Sequence, residues 1–194
     1  MGALALSVIS PAVAQPAAPA PVEVRNVKFN RAEGWYVTEI EVQGRPGSAT
    51  DNRNFINRVK VTLNLGIFSV KSPSGAKIPD TYYRASAEAV GIETSGGRSV
   101  FRFYLPPEIV KRDQISGDAK FYLVELSVDG KPLPLTEHHY PTSTLKGDIV
   151  ESFRSKVSSE AGPNDGILVP QYLTPFAYSN SAPAPSFIRI ENTR

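Results

Sequence analysis

The longest clean alternation of apolar and polar residues in the chain runs through Asn54–Phe68. Phe55, Val59, Val61, Leu63, Leu65 and Ile67 fall on odd positions, with Arg58, Lys60, Thr62 and Asn64 between them. A period of two sends alternate side chains to opposite faces of an extended backbone. The stretch therefore reads as a central strand with one buried face and one wet face. The same period marks Trp35–Gln43, with Tyr36, Ile40 and Val42 inward and Glu39 and Glu41 outward. It recurs in Ser99–Leu105, through Phe101, Phe103 and Leu105, and in Lys120–Val128, through Tyr122, Val124, Leu126 and Val128. In Val22–Asn30 the apolar parity changes between Val22 and Val24 on one side and Val27 and Phe29 on the other. That change predicts a bulge or bend near Arg25-Asn26. Thr81–Ile92 sets Tyr83, Ala85, Ala87 and Ala89 against Arg84, Ser86 and Glu88. Alanine and glutamate favour a helix there, but the tyrosines and the alternation favour a strand pressed close to another layer.

Turn signals separate these segments. Asn30–Gly34, Gly44–Asp51, Lys71–Asp80, Gly96-Gly97 and Asp129-Gly130 are rich in glycine, proline or small polar residues. Pro106-Pro107 ends one strand and opens a single helical turn over Pro107–Gln114. Pro132–Leu135 can begin only a short return edge, because proline donates no ladder hydrogen bond. About seven strands with turn signals roughly every 8–12 residues predict a mainly β fold, an immunoglobulin-like antiparallel sandwich over residues 22–136.

The C-terminal third, residues 137–194, changes character. Leu145, Ile149, Phe153 and Val157 recur four apart with Val150 beside them, which predicts an amphipathic helix over Leu145–Glu160. Gly162-Pro163 stops it. Ile167–Phe176 is apolar but holds two prolines, and reads as an extended, irregular arm lying on a surface. Ser179–Pro185 reads as a linker, and Phe187–Glu191 alternates like a short last strand. Helix, arm and strand are expected to be packed on the sandwich or tethered to it.

Residues 1–21 form a separate unit. An apolar run over Ala3–Ile9, a Ser-Pro break and Ala12-Val13-Ala14 make a small-x-small site suited to a signal peptidase, with Gln15 the first residue after cleavage. An Ala/Pro linker follows over Pro16–Pro21. The expected location is outside the cytoplasm: periplasm, outer-membrane surface or medium, with no transmembrane segment in the mature chain.

Composition narrows the chemistry. With 21 basic and 19 acidic side chains the net charge is +2, and no long block of one sign argues for nucleic acid. The absence of cysteine rules out disulfides, thiolate zinc sites and cysteine catalysis. His138 and His139 are the only histidines, and neighbours on a strand point to opposite faces, a poor geometry for one metal. Glu39 and Glu41 share a face, as solvated carboxylates on strands do. The chain carries no Gly-x-Ser-x-Gly elbow, no Gly-x-Gly-x-x-Gly and no P-loop. No catalytic residue, metal ligand or cofactor is assigned, and the expected role is not enzymatic.

Two surfaces are candidates for binding. Phe187, Ile188 and Ile190 alternate on a tether and can pair with a sheet edge, of a neighbour for assembly or of their own domain. Trp35, Tyr82 and Tyr83, with Tyr36 and Tyr104, offer aromatic rings for a carbohydrate platform, and equally for a core. The chain also resembles a family. Val-Glu-Val-Arg-Asn-Val-Lys-Phe from Val22, Trp35-Tyr36, Glu39-Ile-Glu-Val and Asn54-Phe-Ile-Asn-Arg-Val-Lys-Val-Thr-Leu-Asn-Leu-Gly look like the small exported pilus-associated proteins of Akkermansia muciniphila. The resemblance covers Val22 to Val157 as an overall pattern and transfers no functional residue. It implies an immunoglobulin-like fold related to archaeal type IV pilus subunits. It also implies a structural or protein-interaction role in a cell-envelope assembly linked with type IV pilus-like gene clusters. The basic leader, glycine cut site, early glutamate and long apolar helix of a bacterial type IV pilin are not found, which favours an accessory over a main fibre subunit. The partners expected are other subunits of such an assembly, or a second copy. A carbohydrate- or mucin-binding module is the alternative.

Overall fold

The computed structural model describes residues 19–47, 54–69, 72, 78–95, 97–178 and 184–189. The leader and the first half of its linker, and Ile190 with Glu191, lie outside the described residues. The strands are β1 (Val22–Ala32), β2 (Trp35–Gly44), β3 (Phe55–Ile67), β4 (Thr81–Glu93), β5 (Arg98–Leu105), β6 (Phe121–Val128), β7 (Lys131–Pro132), β8 (Val169–Pro170) and β9 (Phe187–Ile188). Helix α1 spans Pro107–Arg112 and helix α2 spans Asp148–Glu160. Among the described residues the strands form two sheets, in the orders β1-β2-β5-β8 and β7-β6-β3-β4-β9. Every pairing is antiparallel.

The two sheets bury one apolar core between them. Val24, Ile40, Val42, Phe101 and Phe103 meet Val59, Val61, Leu63, Leu65, Ala87 and Val124 there. The parity change in β1 is a bulge, since its register against β2 shifts between Val24 and Asn26. The first hairpin turns on Glu33 and Gly34, whose φ angles of 49° and 86° suit a two-residue turn matched to strand twist. Asp129 and Gly130 turn β6 into β7 in the same way, at 49° and 76°.

The structure corrects the sequence pattern at four points. First, the alternation of β3 breaks at Arg58, which takes φ 53°. Before it Ile56 is buried and Phe55 exposed, whereas after it the odd positions turn inward. Second, the outer face of β3 is not wet along its length. Thr62 and Asn64 are buried, Thr62 bonding the Ser86 hydroxyl and Asn64 donating to Leu123 O and Glu125. The cause is α2, which lies across that face and builds a second core of Val150, Phe153 and Val157 against Tyr82, Phe121 and Leu123. Third, the helix begins only at Asp148, and its buried stripe is Val150, Phe153 and Val157. Ile149 therefore falls at the margin and is 48% exposed, while Leu145 is buried ahead of the helix. Fourth, the proline-containing arm is not wholly irregular: Val169 and Pro170 pair with Tyr104 and Phe103 as an edge of the first sheet. Proline is tolerated there because an edge has a side that needs no donor.

His138 and His139 sit in a 3-10 turn, Glu137–His139, and not in a strand. His139 is buried with Nδ1 2.7 Å from Val124 O. That contact fixes the tautomer, since a carbonyl can only accept and Nδ1 must carry the proton.

Candidate interaction surface

The residues proposed for a carbohydrate platform are not brought together. Tyr82 and Tyr83 are neighbours on β4, so their rings leave the strand on opposite faces. Both faces are covered: Tyr82 packs on Phe153 of α2 at 6.0 Å, and Tyr83 lies within the inter-sheet core. The Tyr83 hydroxyl donates to Asp113, and Arg112 donates to both groups. Burial works to raise the Asp113 pKa, but these hydrogen bonds prevail and hold it below the ordinary carboxylate range. Burial also pushes the Tyr82 phenol up to about 12. Trp35 lies at the start of β2, in the other sheet, where neither tyrosine is among its ring partners.

Trp35 instead belongs to a different aromatic group. Its ring meets Tyr104 edge-on at 6.2 Å and Phe176 edge-on at 6.0 Å, and Tyr104 and Phe176 stack at 5.3 Å. Strand pairing explains the first contact: Tyr36 lies opposite Leu105, which sets Trp35 diagonal to Tyr104 on the neighbouring strand. Phe176 arrives from the C-terminal arm, and its path is fixed by hydrogen bonds. Gln171 Nε2 donates to Phe176 O at 2.9 Å. Thr174 Oγ1 donates to Gln171 O at 2.7 Å and accepts from Phe176 N at 3.1 Å, closing a compact turn.

Beneath the arm lies a charged anchor. Arg102, directly opposite Glu39 across β2 and β5, donates to its Oε1 at 2.8 Å and to Gln171 Oε1 at 3.4 Å. The Arg102 side chain is only 4% exposed. A buried guanidinium stripped of its partners is costly, so this network fixes where the arm sits more than it adds net stability. Glu41, two residues along, is bracketed by Lys28 at 3.5 Å and Arg98 at 3.4 Å. These carboxylates thus serve cross-strand ion pairs.

Above the anchor the arm turns apolar side chains outward. Leu173 is 63% exposed and Tyr178 85% exposed, and along the arm they stand on either side of Phe176, the residue that packs on the half-buried Trp35. Large exposed apolar groups held on a rigid base are a feature of contact surfaces between proteins. Sequence reasoning counted Trp35 and Tyr104 among the aromatics but missed Phe176, Leu173 and Tyr178. Nothing local marks them, because the landing site of the arm is a contact between residues far apart in the chain.

The terminal strand has a clear place. Phe187 and Ile188 pair with Ala89 and Glu88 at the edge of β4, in their own chain. Val90 N donates to Ser186 O at 2.8 Å and extends the contact. The Phe187 ring packs edge-on to Phe101 at 5.5 Å and against Tyr172 at 5.3 Å.

The class of protein is thus a mainly β, two-sheet antiparallel sandwich with a helix on one outer face and an arm on the other. That fold is shared with a solved crystal structure of a protein from Akkermansia muciniphila. The two are 14% identical and superpose with a TM-score of 0.56 over 87% of this chain and 93% of that one. No model of a known protein family matches the chain. No curated protein matches it either. Among the described residues, no helix is long and apolar enough to cross a membrane.

Proposed function

We propose that this chain is a non-enzymatic structural or protein-interaction component of a cell-envelope assembly of the type IV pilus-like kind, built on an immunoglobulin-like sandwich and exported from the cytoplasm. The observation that carries the reading is the arm surface, where Leu173 and Tyr178 are exposed on the same arm that sets Phe176 on Trp35 and Tyr104 and is anchored by Arg102. The sequence resemblance to small exported pilus-associated proteins supports the setting. The fold likeness to the Akkermansia muciniphila structure over nearly the full length of both chains is compatible with it. Export is supported by the Ala12-Val13-Ala14 site after its apolar run.

The test uses the protein in its host. Envelope fractions are crosslinked mildly, and the wild type is compared with a Leu173→Asp/Tyr178→Asp variant. The wild type is expected to carry a defined partner band, its mature chain starting at or near Gln15, and the variant to lose that band at an unchanged melting temperature. Equal capture by both proteins removes the arm from the interaction. Recovery only from the cytoplasm with Met1 intact removes the envelope role.

A further inference from the structure

We propose that Phe187–Ile188 is an exchangeable strand, and that the slot beside β4 accepts the same segment from a second copy of this chain. This inference concerns a different surface from the arm and stands or falls separately from it.

The slot is built by the small residues of β4. Ala87 and Ala89 are buried and Ala85 packs against the same core, so the middle of this strand, between Tyr83 and Ile92, brings little bulk to the seam between the sheets. Phe187 supplies it, opposite Ala89 and against Phe101, which is itself fully buried. The ring therefore completes the main core from the edge strand of the sheet. The backbone contact is much slighter. β4 is 13 residues long, and β9 pairs with it at only two positions, with one more bond from Val90 to Ser186. A two-residue ladder opens at far lower cost than the sheet it caps. Opening exposes both a strand edge and a hole of defined shape, and an unpaired edge is a template for another strand.

What fits that hole is known from the structure, because Phe187 fills it already while Ile188 pairs with Glu88 beside it. Every copy carries the same segment, so the contact made within one chain is a ready template for the contact between two. The tether favours exchange. Ser179–Pro185 reads Ser-Asn-Ser-Ala-Pro-Ala-Pro, seven residues without a large apolar side chain. Seven residues reach up to about 24 Å when extended, enough to carry the strand to a neighbour's edge. Pairing within one chain has the advantage of high local concentration, on the order of millimolar for short tethers. Exchange is therefore expected to grow with protein concentration.

The chain contains no cysteine, which makes a clean test possible. Glu88 and Ile188 face each other across the pairing. Full-length Glu88→Cys protein and full-length Ile188→Cys protein are mixed at high concentration, incubated and oxidised. Exchange predicts a covalent heterodimer several-fold above that from a control mixture of Glu88→Cys with Lys131→Cys, an exposed site on the far edge of the same sheet. A second pair, Val90→Cys with Ser186→Cys, tests the same register if either first variant melts low. The double variant Glu88→Cys/Ile188→Cys, oxidised within one chain, is expected to stay monomeric at concentrations where the wild type self-associates. Heterodimer no higher than in the control overturns the proposal, as does self-association that survives the intrachain lock.

Discussion

At the scale of single residues, burial decides the chemistry of the groups that the sequence left open. His139 is the clearest case. Its ring is buried against the Val124 carbonyl, and desolvation holds its pKa below the ordinary 6.5, with His138 nearby acting in the same direction. The unfolded chain therefore takes up a proton near pH 6.5 that the folded chain refuses. Stability contributed by the neutral ring is complete above that pH. It declines as pH falls toward the folded pKa, by at most about 1.4 kcal/mol per pH unit. Melting temperatures followed from pH 8 to pH 5 are expected to fall less steeply for His139→Gln than for the wild type. Identical slopes would mean that the ring is solvated. Tyr82 is the complementary case. With Tyr83 turned into the inter-sheet core, its neighbour Tyr82 would face solvent, and does not, because α2 covers the second face.

At the scale of elements, helix and sheet meet through a glycine. A Cβ built on Gly66 of β3 comes within 2.8 Å of the Phe153 ring and 2.8 Å of Pro79. Gly66→Ala is therefore expected to cost about 1–3 kcal/mol by overpacking. Phe153→Ala is expected to cost about 3–5 kcal/mol through the cavity it leaves. The two are coupled, since the new methyl enters space that the ring vacates. Denaturant unfolding of the double variant should thus show less destabilisation than the sum of the singles. Strict additivity would place α2 elsewhere. This contact also explains why alternation misled for Thr62 and Asn64: the strand pattern assumed one wet face, and the helix removed the water.

At the scale of the whole molecule, the C-terminal third is part of the structural frame. α2 covers Tyr82, Phe121 and Leu123, β8 extends the first sheet, and Leu168, Tyr172 and Phe187 join the main core. A fragment of residues 22–136 would leave these surfaces bare. It is expected to lack a cooperative thermal transition and to aggregate, measured by calorimetry and light scattering. A sharp transition near that of the full chain would make the sandwich self-sufficient and the remainder an appendage.

The strands other than β8, and their order along the chain, were legible in the sequence, because period-two alternation and turn chemistry are local properties of the backbone. The bulge at Arg25-Asn26 was legible for the same reason, since a parity change within one strand needs only that strand to be seen. The helix was visible from its spacing, though not its start, because Leu145 continues the helical period while lying outside the helix. What covers what was decided only in three dimensions. The burial of Tyr82 depends on a helix 66 positions later, at Asp148, and Trp35 finds Phe176 across most of the chain. The partner of Phe187 is likewise set by which edge the fold leaves open. Alternation specifies two faces of a strand, but only the packing of layers distant in sequence determines which of them meets water.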